Sequence, residues 1–347
     1  MADNTGTNGI ENQNDAKARK ILHIIEKYGL NYERTGEWVG FETFLPVVKG
    51  QVERGESIKM LLPGFPFKSP NDRTKVLGPL PDLGEELALK RLDSIAAAID
   101  EVYEHGAEIH ITSDGLVYNN LLGVSDETVW NFGQAVREMA NSFNLTHLSF
   151  LRLWDLLGNT GDFKDKEYYL LHASSIRAEL MQRFGDPAFE ADMANKSTAD
   201  MHLTHKKYLE FVGDDLRFNK DHLKLDDEGR KANLANTARQ MMARWKAFSA
   251  ALASVPTEYV RLSIHDSGGA DKLSMALIPQ REKGALGATP WHSTLTVESD
   301  GTFTQLLRGK VDEDKYELVE RYGRPYFWRE KGAPESVETA MGVLKLS

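Results

Sequence analysis

The chain has 347 residues, enough for one large domain or two ordinary ones, and 41% of them are apolar, so a substantial core can form. Its 42 basic residues against 52 acidic ones give a net charge of −10, which argues against a general nucleic-acid or membrane-surface binder, since both need a basic face. There is no cysteine, which excludes disulfides, thiolate nucleophiles and cysteine metal sites.

The opening stretch MADNTGTNGIENQNDAKARK is polar and has no apolar signal core, which predicts a disordered leader over residues 1–14. No window reaches the ~18 apolar residues that span a bilayer, so a cytoplasmic location without membrane contact is expected. The sequons at Asn144 and Asn195 then carry no weight. Apolar spacing predicts a helix over residues 15–28 and a second from Trp38 to Val52. IKMLLP (58–63) reads as a short buried strand. It runs into a loop rich in proline and containing Lys68, Arg73 and Lys75, a stiff setting for three cations. A helix follows from Leu83 to Tyr103, with Asp82 as N-cap and Glu85 three residues later.

AEIHITSDG is the next strand, ending at Ser113-Asp114-Gly115, and a helix runs from Ser125 to Asn141. THLSFLRLWDLL (146–157) contains a third strand. The alternation predicts an α/β fold of Rossmann-like type with a mostly parallel sheet, whose ligands bind beyond the carboxyl ends of the strands. Residues 164–253 read as a helical insertion. Within it, Asp214-Asp215 and KLDDEGRK look like solvated helix ends, and Met241, Met242 and Trp245 like core. Strands return at 258–265 and 272–279, and residues 292–309 form a C-terminal β-hairpin turning at Ser299-Asp300-Gly301. A helix is expected from Asp312 to Tyr322, and GRPYFWRE closes a single domain over 15–330, with a tail at 331–347.

Neither G-x-G-x-x-G after a strand, nor a Walker A sequence, nor G-x-S-x-G is present. His202 and His205 form an H-x-x-H pair without the H-E-x-x-H pattern, and they read as a surface pair rather than a metal site.

Longer motifs carry more. FPFKSPNDRTKVLGPLPDLGEELAL (65–89), SDGLVYNNLLGVSD (113–126), VRLSIHDSGGADKLSMALIP (260–279), TPWHSTLTVESDG (289–301) and GRPYFWRE (323–330) occur in order. Together they resemble the pyoverdine/dityrosine biosynthesis family, which contains the isonitrile synthases and the yeast spore-wall dityrosine protein. The resemblance implies an enzyme that joins the amine of an L-amino acid to the keto carbon of ribulose 5-phosphate. That carbon becomes the isonitrile carbon, and the amino-acid carboxylate is retained. It also implies no metal or organic cofactor, a substrate such as tyrosine, tryptophan or valine, and a downstream oxygenase or P450 acting on the product. Two departures stand out: Leu116 where an arginine is frequent, and Asp266 after SIH where a neutral or proline-like residue is expected.

This chemistry directs attention to particular residues. A phosphate dianion calls for cations, and Lys68, Arg73 and Lys75 supply them; the alternative is pairing with acids such as Asp72 and Asp82. Proton shuttling suits histidine, and His265 and His292 stand at predicted strand ends, whereas His110 lies inside a strand and reads as structural. Asp114 can accept a proton from the amine or serve only its turn. Ser113, Tyr118, Ser267 and Trp291 are expected to line the substrate, and Arg177 is a candidate clamp for its carboxylate. Two other readings compete: a dityrosine-type enzyme that formylates or otherwise modifies the nitrogen of tyrosine, and a non-catalytic module that binds a sugar phosphate.

Overall fold

A computed structural model describes residues 5–30, 38–159, 165–194, 199–254, 258–264, 270–278 and 289–333. The chain opens with α1 (Thr5–Glu26) and α2 (Phe41–Arg54), packed together. Ala18, Ile21, Leu22 and Ile25 recur at helical spacing on α1 and are fully buried. The helix reaches back to Thr5, where a leader through residue 14 was expected. Once the buried stripe has nucleated it, each added residue costs little, and no proline in 5–14 stops it.

Five strands follow: β1 (Ile58–Pro63), β2 (Ala107–Thr112), β3 (Leu148–Leu151), β4 (Val260–Ser263) and β5 (Leu273–Ser274). All pair in parallel, in the order β3-β2-β1-β4-β5. The central β1 is almost continuously apolar, with Ile58, Met60, Leu61 and Leu62 buried, as a strand covered on both faces requires. The order reverses direction between β1 and β4, which opens a crevice at their carboxyl ends. β5 is shorter than the eight residues expected; just past it, Met275 N–H still donates to Ser263 O at 2.7 Å while Met275 also bridges Gly29.

Between β1 and β2 runs α3 (Leu83–Asp100). Its predicted capping box is present: Gly84 N–H donates to Asp82 Oδ1 at 2.9 Å, and Asp82 N–H to Glu85 Oε2 at 2.9 Å. The short α4 (Gly115–Tyr118) and α5 (Asp126–Ser142, capped by Ser125) join β2 to β3. The helical insertion comprises α6 (Leu153–Leu156), α7 (Lys166–Phe184), α8 (Phe189–Ala194), α9 (Ala199–Leu216), α10 (Lys220–Leu223) and α11 (Asp227–Ala253). There Met241 and Met242 are buried as expected, but Trp245 is exposed.

The second sheet holds β6 (Thr294–Val297), β7 (Phe303–Leu306), β8 (Tyr316–Arg321) and β9 (Arg324–Glu330), ordered β7-β6-β9-β8. The β6–β7 hairpin is the predicted one. The helix expected over Asp312 to Tyr322 is not formed: residues 316–321 pair antiparallel with β9. Tyr322 and Gly323 both have positive φ, 53° and 69°, the requirement of a two-residue hairpin turn whose twist matches its strands. Across that hairpin Arg329 Nη2 meets Glu317 Oε1 at 2.7 Å, so charges that look like a helix face are a cross-strand pair.

Candidate active site

The cationic loop after β1 is buried at the junction of three substructures rather than displayed to solvent. Gly64 N–H donates to Thr112 O at 3.0 Å, and Ser113 Oγ to Phe65 O at 3.1 Å, which stitches the carboxyl ends of β1 and β2 together. Phe65 turns the chain with φ +54°, a left-handed conformation that a non-glycine residue seldom adopts. A Cβ on Gly115 would lie 2.4 Å from Pro66 O, so this close approach of the two loops requires glycine.

Lys68 is buried, with its ammonium 2.8 Å from both Asp82 Oδ2 and Glu85 Oε2 and 3.1 Å from Pro290 O. Burial opposes the charge, but the two carboxylates outweigh it and hold the ammonium above its ordinary value. Burial likewise pushes Glu85 up to about 7; the charge of Lys68 opposes the rise and that of Asp82 adds to it. All three donors of Lys68 are thus engaged within the protein, and the pairing with Asp82 weighed from the sequence is the one found. Lys68 anchors the short turn Pro290–His292 beside the start of α3, and Ser69 N–H adds a bond to Trp291 O at 2.9 Å.

Asp215 corrects the reading of Asp214-Asp215 as a solvated helix end. It is buried and accepts from Ser69 Oγ at 2.6 Å and from Lys75 Nζ at 2.7 Å. The short polar Ser69 and the long Lys75 both reach it because the loop folds against α9. Arg73, by contrast, is exposed and lies over the Phe218 ring, 4.9 Å from its centroid.

One stripe of α9 connects these parts to Asp114. Tyr208, Phe211 and Asp215 are spaced i, i+3, i+7 and face the same side. Phe211 meets the His292 ring edge-on at 4.9 Å and Lys75 Nζ at 5.0 Å from its ring centre. Burial, and then the charge of Asp114, push the Tyr208 hydroxyl up; Tyr118 responds to the same two causes and to Tyr208. Asp114 is half-buried, its Oδ1 has no hydrogen-bond partner, and burial pushes its carboxyl up to about 7. From α11, Arg244 donates to Val117 O at 2.9 Å and Asn120 Oδ1 at 2.6 Å, fastening the insertion to α4.

The other predicted residues divide. His292 is half-buried, with Nδ1 2.9 Å from Thr289 Oγ1. Trp291 is buried against Phe65, at 5.2 Å between ring centres. Arg177 grips Asp126 through both terminal nitrogens, at 2.6 and 3.1 Å, so a protein carboxylate occupies the fork expected to take the substrate's. His110 lies 3.1 Å from Glu108 and edge-on to Tyr259, in keeping with a structural role. His265, Asp266 and Ser267 lie outside the described residues, as does the side chain of His202.

Two pockets flank this crevice. The first lies at the carboxyl ends of β2 and β3, with Ser113, Leu116, Trp130, Arg137, Arg152 and Tyr169 in its lining. Sequence reasoning passed over both arginines, since neither sits in a recognisable motif. The signal was the spacing Trp130, Gly133, Gln134, Arg137, which places four residues on one face of α5. The second is lined by Thr74, Lys75, Asp214, Arg217, Leu307, Gly309 and Lys310. Among the described residues no cluster of three or more His, Asp or Glu could hold a metal ion, and no helix is long and apolar enough to cross a membrane.

A family model described as pyoverdine/dityrosine biosynthesis protein matches residues 48–319. The chain belongs to the pyoverdine/dityrosine biosynthesis family. As a member of this family it is 48% identical over 335 residues to an isocyanide synthase of Aspergillus fumigatus, covering 94% of this chain but 44% of that protein. It is 29% identical to an L-tyrosine isonitrile synthase of Xenorhabdus nematophila, covering 88% of this chain and 89% of the other. The crystal structure of PvcA from Pseudomonas aeruginosa superposes with a TM-score of 0.77 at 26% identity, covering 90% of this chain and 99% of that one. The fold expected from the motifs of this family is therefore the fold found.

Proposed function

We propose that the chain is an isonitrile synthase, converting the amine of a free L-amino acid to an isonitrile with ribulose 5-phosphate as carbon donor and the carboxylate retained. The observation that carries the reading is Asp114, a carboxyl at the end of β2 with an unpartnered buried oxygen and a proton affinity raised to about 7. Imine formation needs a neutral amine, and free amino acids carry an ammonium near neutral pH. A carboxylate with raised proton affinity removes that proton more readily than an ordinary one. The neutral amine then attacks the ketone, and His292 is the acid–base group for the hydroxyls of the sugar, with His265 proposed beside it from the family motif.

The phosphate belongs, in this reading, with Arg217 and Lys310 of the second pocket, beside exposed Arg73, while Lys75 in the same lining is held by Asp215. Seven residues of α9 separate Tyr208, beside Asp114, from Asp215, beside Lys75. That is about 10 Å along the helix axis, a span on the scale of an extended pentose phosphate. Tyr118, Ser113 and Trp291 line the amino-acid side, Ser267 is proposed with them, and no metal or organic cofactor enters the reading. The substrate is tyrosine, tryptophan or valine, the enzyme works in the cytoplasm, and an oxygenase or P450 consumes the product.

The test is an incubation of purified protein with ribulose 5-phosphate and the twenty L-amino acids, followed by mass spectrometry. A mass equal to one amino acid with its amine replaced by an isonitrile is the expected product. Consumption of neither reagent would overturn the reading.

A further inference from the structure

Three polar groups from three elements meet just past the end of β2. Asp114 follows the strand with its Oδ1 buried and unpartnered. Tyr118 stands one turn further along, at the end of α4, and is only 9% exposed. Tyr208 reaches them from α9: the charge of Asp114 acts on both phenols, and Tyr208 acts on Tyr118. The packing brings it there, since α9 lies on α11, and Arg244 of α11 donates at 2.9 Å to the carbonyl of Val117, the residue before Tyr118. Neither phenol hydrogen-bonds to another described residue. Burial raises both hydroxyls above their ordinary range, so each stays protonated and able to donate. A buried carboxyl oxygen that accepts and two phenols that donate, with no bond among them or to their surroundings, are more than packing requires, because buried polar atoms are ordinarily satisfied.

We propose that the Tyr208 hydroxyl is the hydrogen-bond donor to the ketone oxygen of ribulose 5-phosphate as the amine adds to the neighbouring carbon. The identity of the ligand rests on the isonitrile-synthase reading. In that addition the C–N bond forms, the π bond of the ketone breaks, and its electron pair goes to oxygen. The proton shed by nitrogen ends on the same oxygen, so the carbinolamine is neutral. The oxygen carries developing negative charge meanwhile, and a donor fixed in place beforehand lowers the barrier most in a partly desolvated site. Position selects Tyr208 over Tyr118 for this role. It precedes Phe211 by one turn, about 5 Å along the helix axis, and the Phe211 ring meets His292 edge-on at 4.9 Å. Tyr208 therefore lies between Asp114, assigned above to the proton of the amine, and His292, assigned to the hydroxyls of the sugar. The ketone carbon has the same two neighbours in the reaction, the nitrogen on one side and the hydroxyl-bearing carbons on the other. Tyr118, next to Asp114 in the chain, stays on the amino-acid side.

The experiment uses the full chain and Tyr208→Phe, which keeps the ring and removes only the oxygen. Ribulose 5-phosphate is added to each while the ultraviolet difference spectrum of tyrosine is followed, and turnover is then measured with the amino acid found in the mass-spectrometric incubation. The unaltered protein is expected to show a tyrosine signal on adding the sugar phosphate, and the variant to lose the part of it due to Tyr208. In the variant kcat should fall about a hundredfold or more with KM little changed, because the bond is made chiefly in the transition state. Its melting temperature should be unchanged, which separates this role from packing. A difference spectrum that is absent, or that survives the substitution, overturns the proposal. So does near-normal kcat, a rise in KM with kcat kept, or a variant whose melting temperature collapses. An unaltered protein that makes no isonitrile from any amino acid, yet shows the Tyr208-dependent signal with ribulose 5-phosphate, would sink the functional reading and leave the contact standing.

Discussion

Two of the clusters among the described residues gather cationic side chains in opposite ways. Around Lys68 two carboxylates and a carbonyl converge on one ammonium, and the result ties a loop, a helix start and the Pro290–His292 turn together. Around Gln134 two guanidiniums converge on one neutral oxygen. In the first cluster two carboxylates contact the ammonium directly; in the second a neutral amide joins the two guanidiniums, those of Arg137 and Arg152, and the charge of Asp155 acts on both. A cation drawn from a motif is therefore not a binding residue by virtue of its charge. What decides is whether the protein has already supplied the counter-ion.

The comparison breaks most easily at Lys68. Lys68→Met leaves Asp82 and Glu85 side by side without a counter-ion, a loss of about 3–5 kcal/mol in urea unfolding. The carboxyl of Glu85, already raised to about 7, should rise further in this variant. A carboxyl whose folded proton affinity is raised contributes stability below its unfolded value and loses it as pH climbs, so the deficit should be smaller at pH 5 than at pH 8. A loss under about 1 kcal/mol at pH 8 would mean that the cluster is not the keystone described.

Asp114→Asn separates function from stability. Turnover should fall about a hundredfold or more, and the unaltered enzyme's kcat/KM should rise with pH through about 7 as the carboxyl ionises. Stability should move the other way. The folded chain binds this proton more readily than the unfolded one, so stability falls between pH 3.8 and about 7. The asparagine variant escapes that fall and should be more stable above pH 7, by on the order of 2 kcal/mol. Equal stability at pH 8 would show that the carboxyl is well solvated.

His292→Gln should lower turnover by roughly a hundredfold, with little change in the melting temperature, because the side chain is half-buried and packs edge-on to Phe211. Near-normal turnover would return it to a packing role. The smallest effect is expected at Arg73. It stacks on Phe218 in the open, so Arg73→Ala should cost less than about 1 kcal/mol of stability and weaken ribulose 5-phosphate only a few-fold.

Local rules made much of this legible before any coordinates. The Asp82–Glu85 capping box, the buried run of β1 and the strand–helix alternation each rest on contacts within a few residues, and each is present. The misreadings lie where a distant partner decides. Asp215 looks solvated until Ser69 and Lys75, some 140 positions away in sequence, close on it. Arg177 looks available until Asp126 takes its fork. The charges of 312–322 suggest a helix until β9 offers Arg329 across the strand from Glu317. The Arg137–Arg152 pair is illegible for the same reason, since its members come from α5 and the end of β3 and meet only in the folded chain.

The hydrogen bond from Tyr326 to Glu86, 2.7 Å long and spanning 240 residues, closes the second sheet onto α3, next to the helix start that holds Lys68. β6 pairs in parallel with β9, and Lys68 reaches Pro290 across 222 residues. Contacts of such separation form late, because the intervening chain must be ordered first. On the ribosome, then, the crevice cannot assemble while the first sheet is being made. It waits for the emergence of residues 290–326, and until then β1 and its buried loop are surfaces for a chaperone.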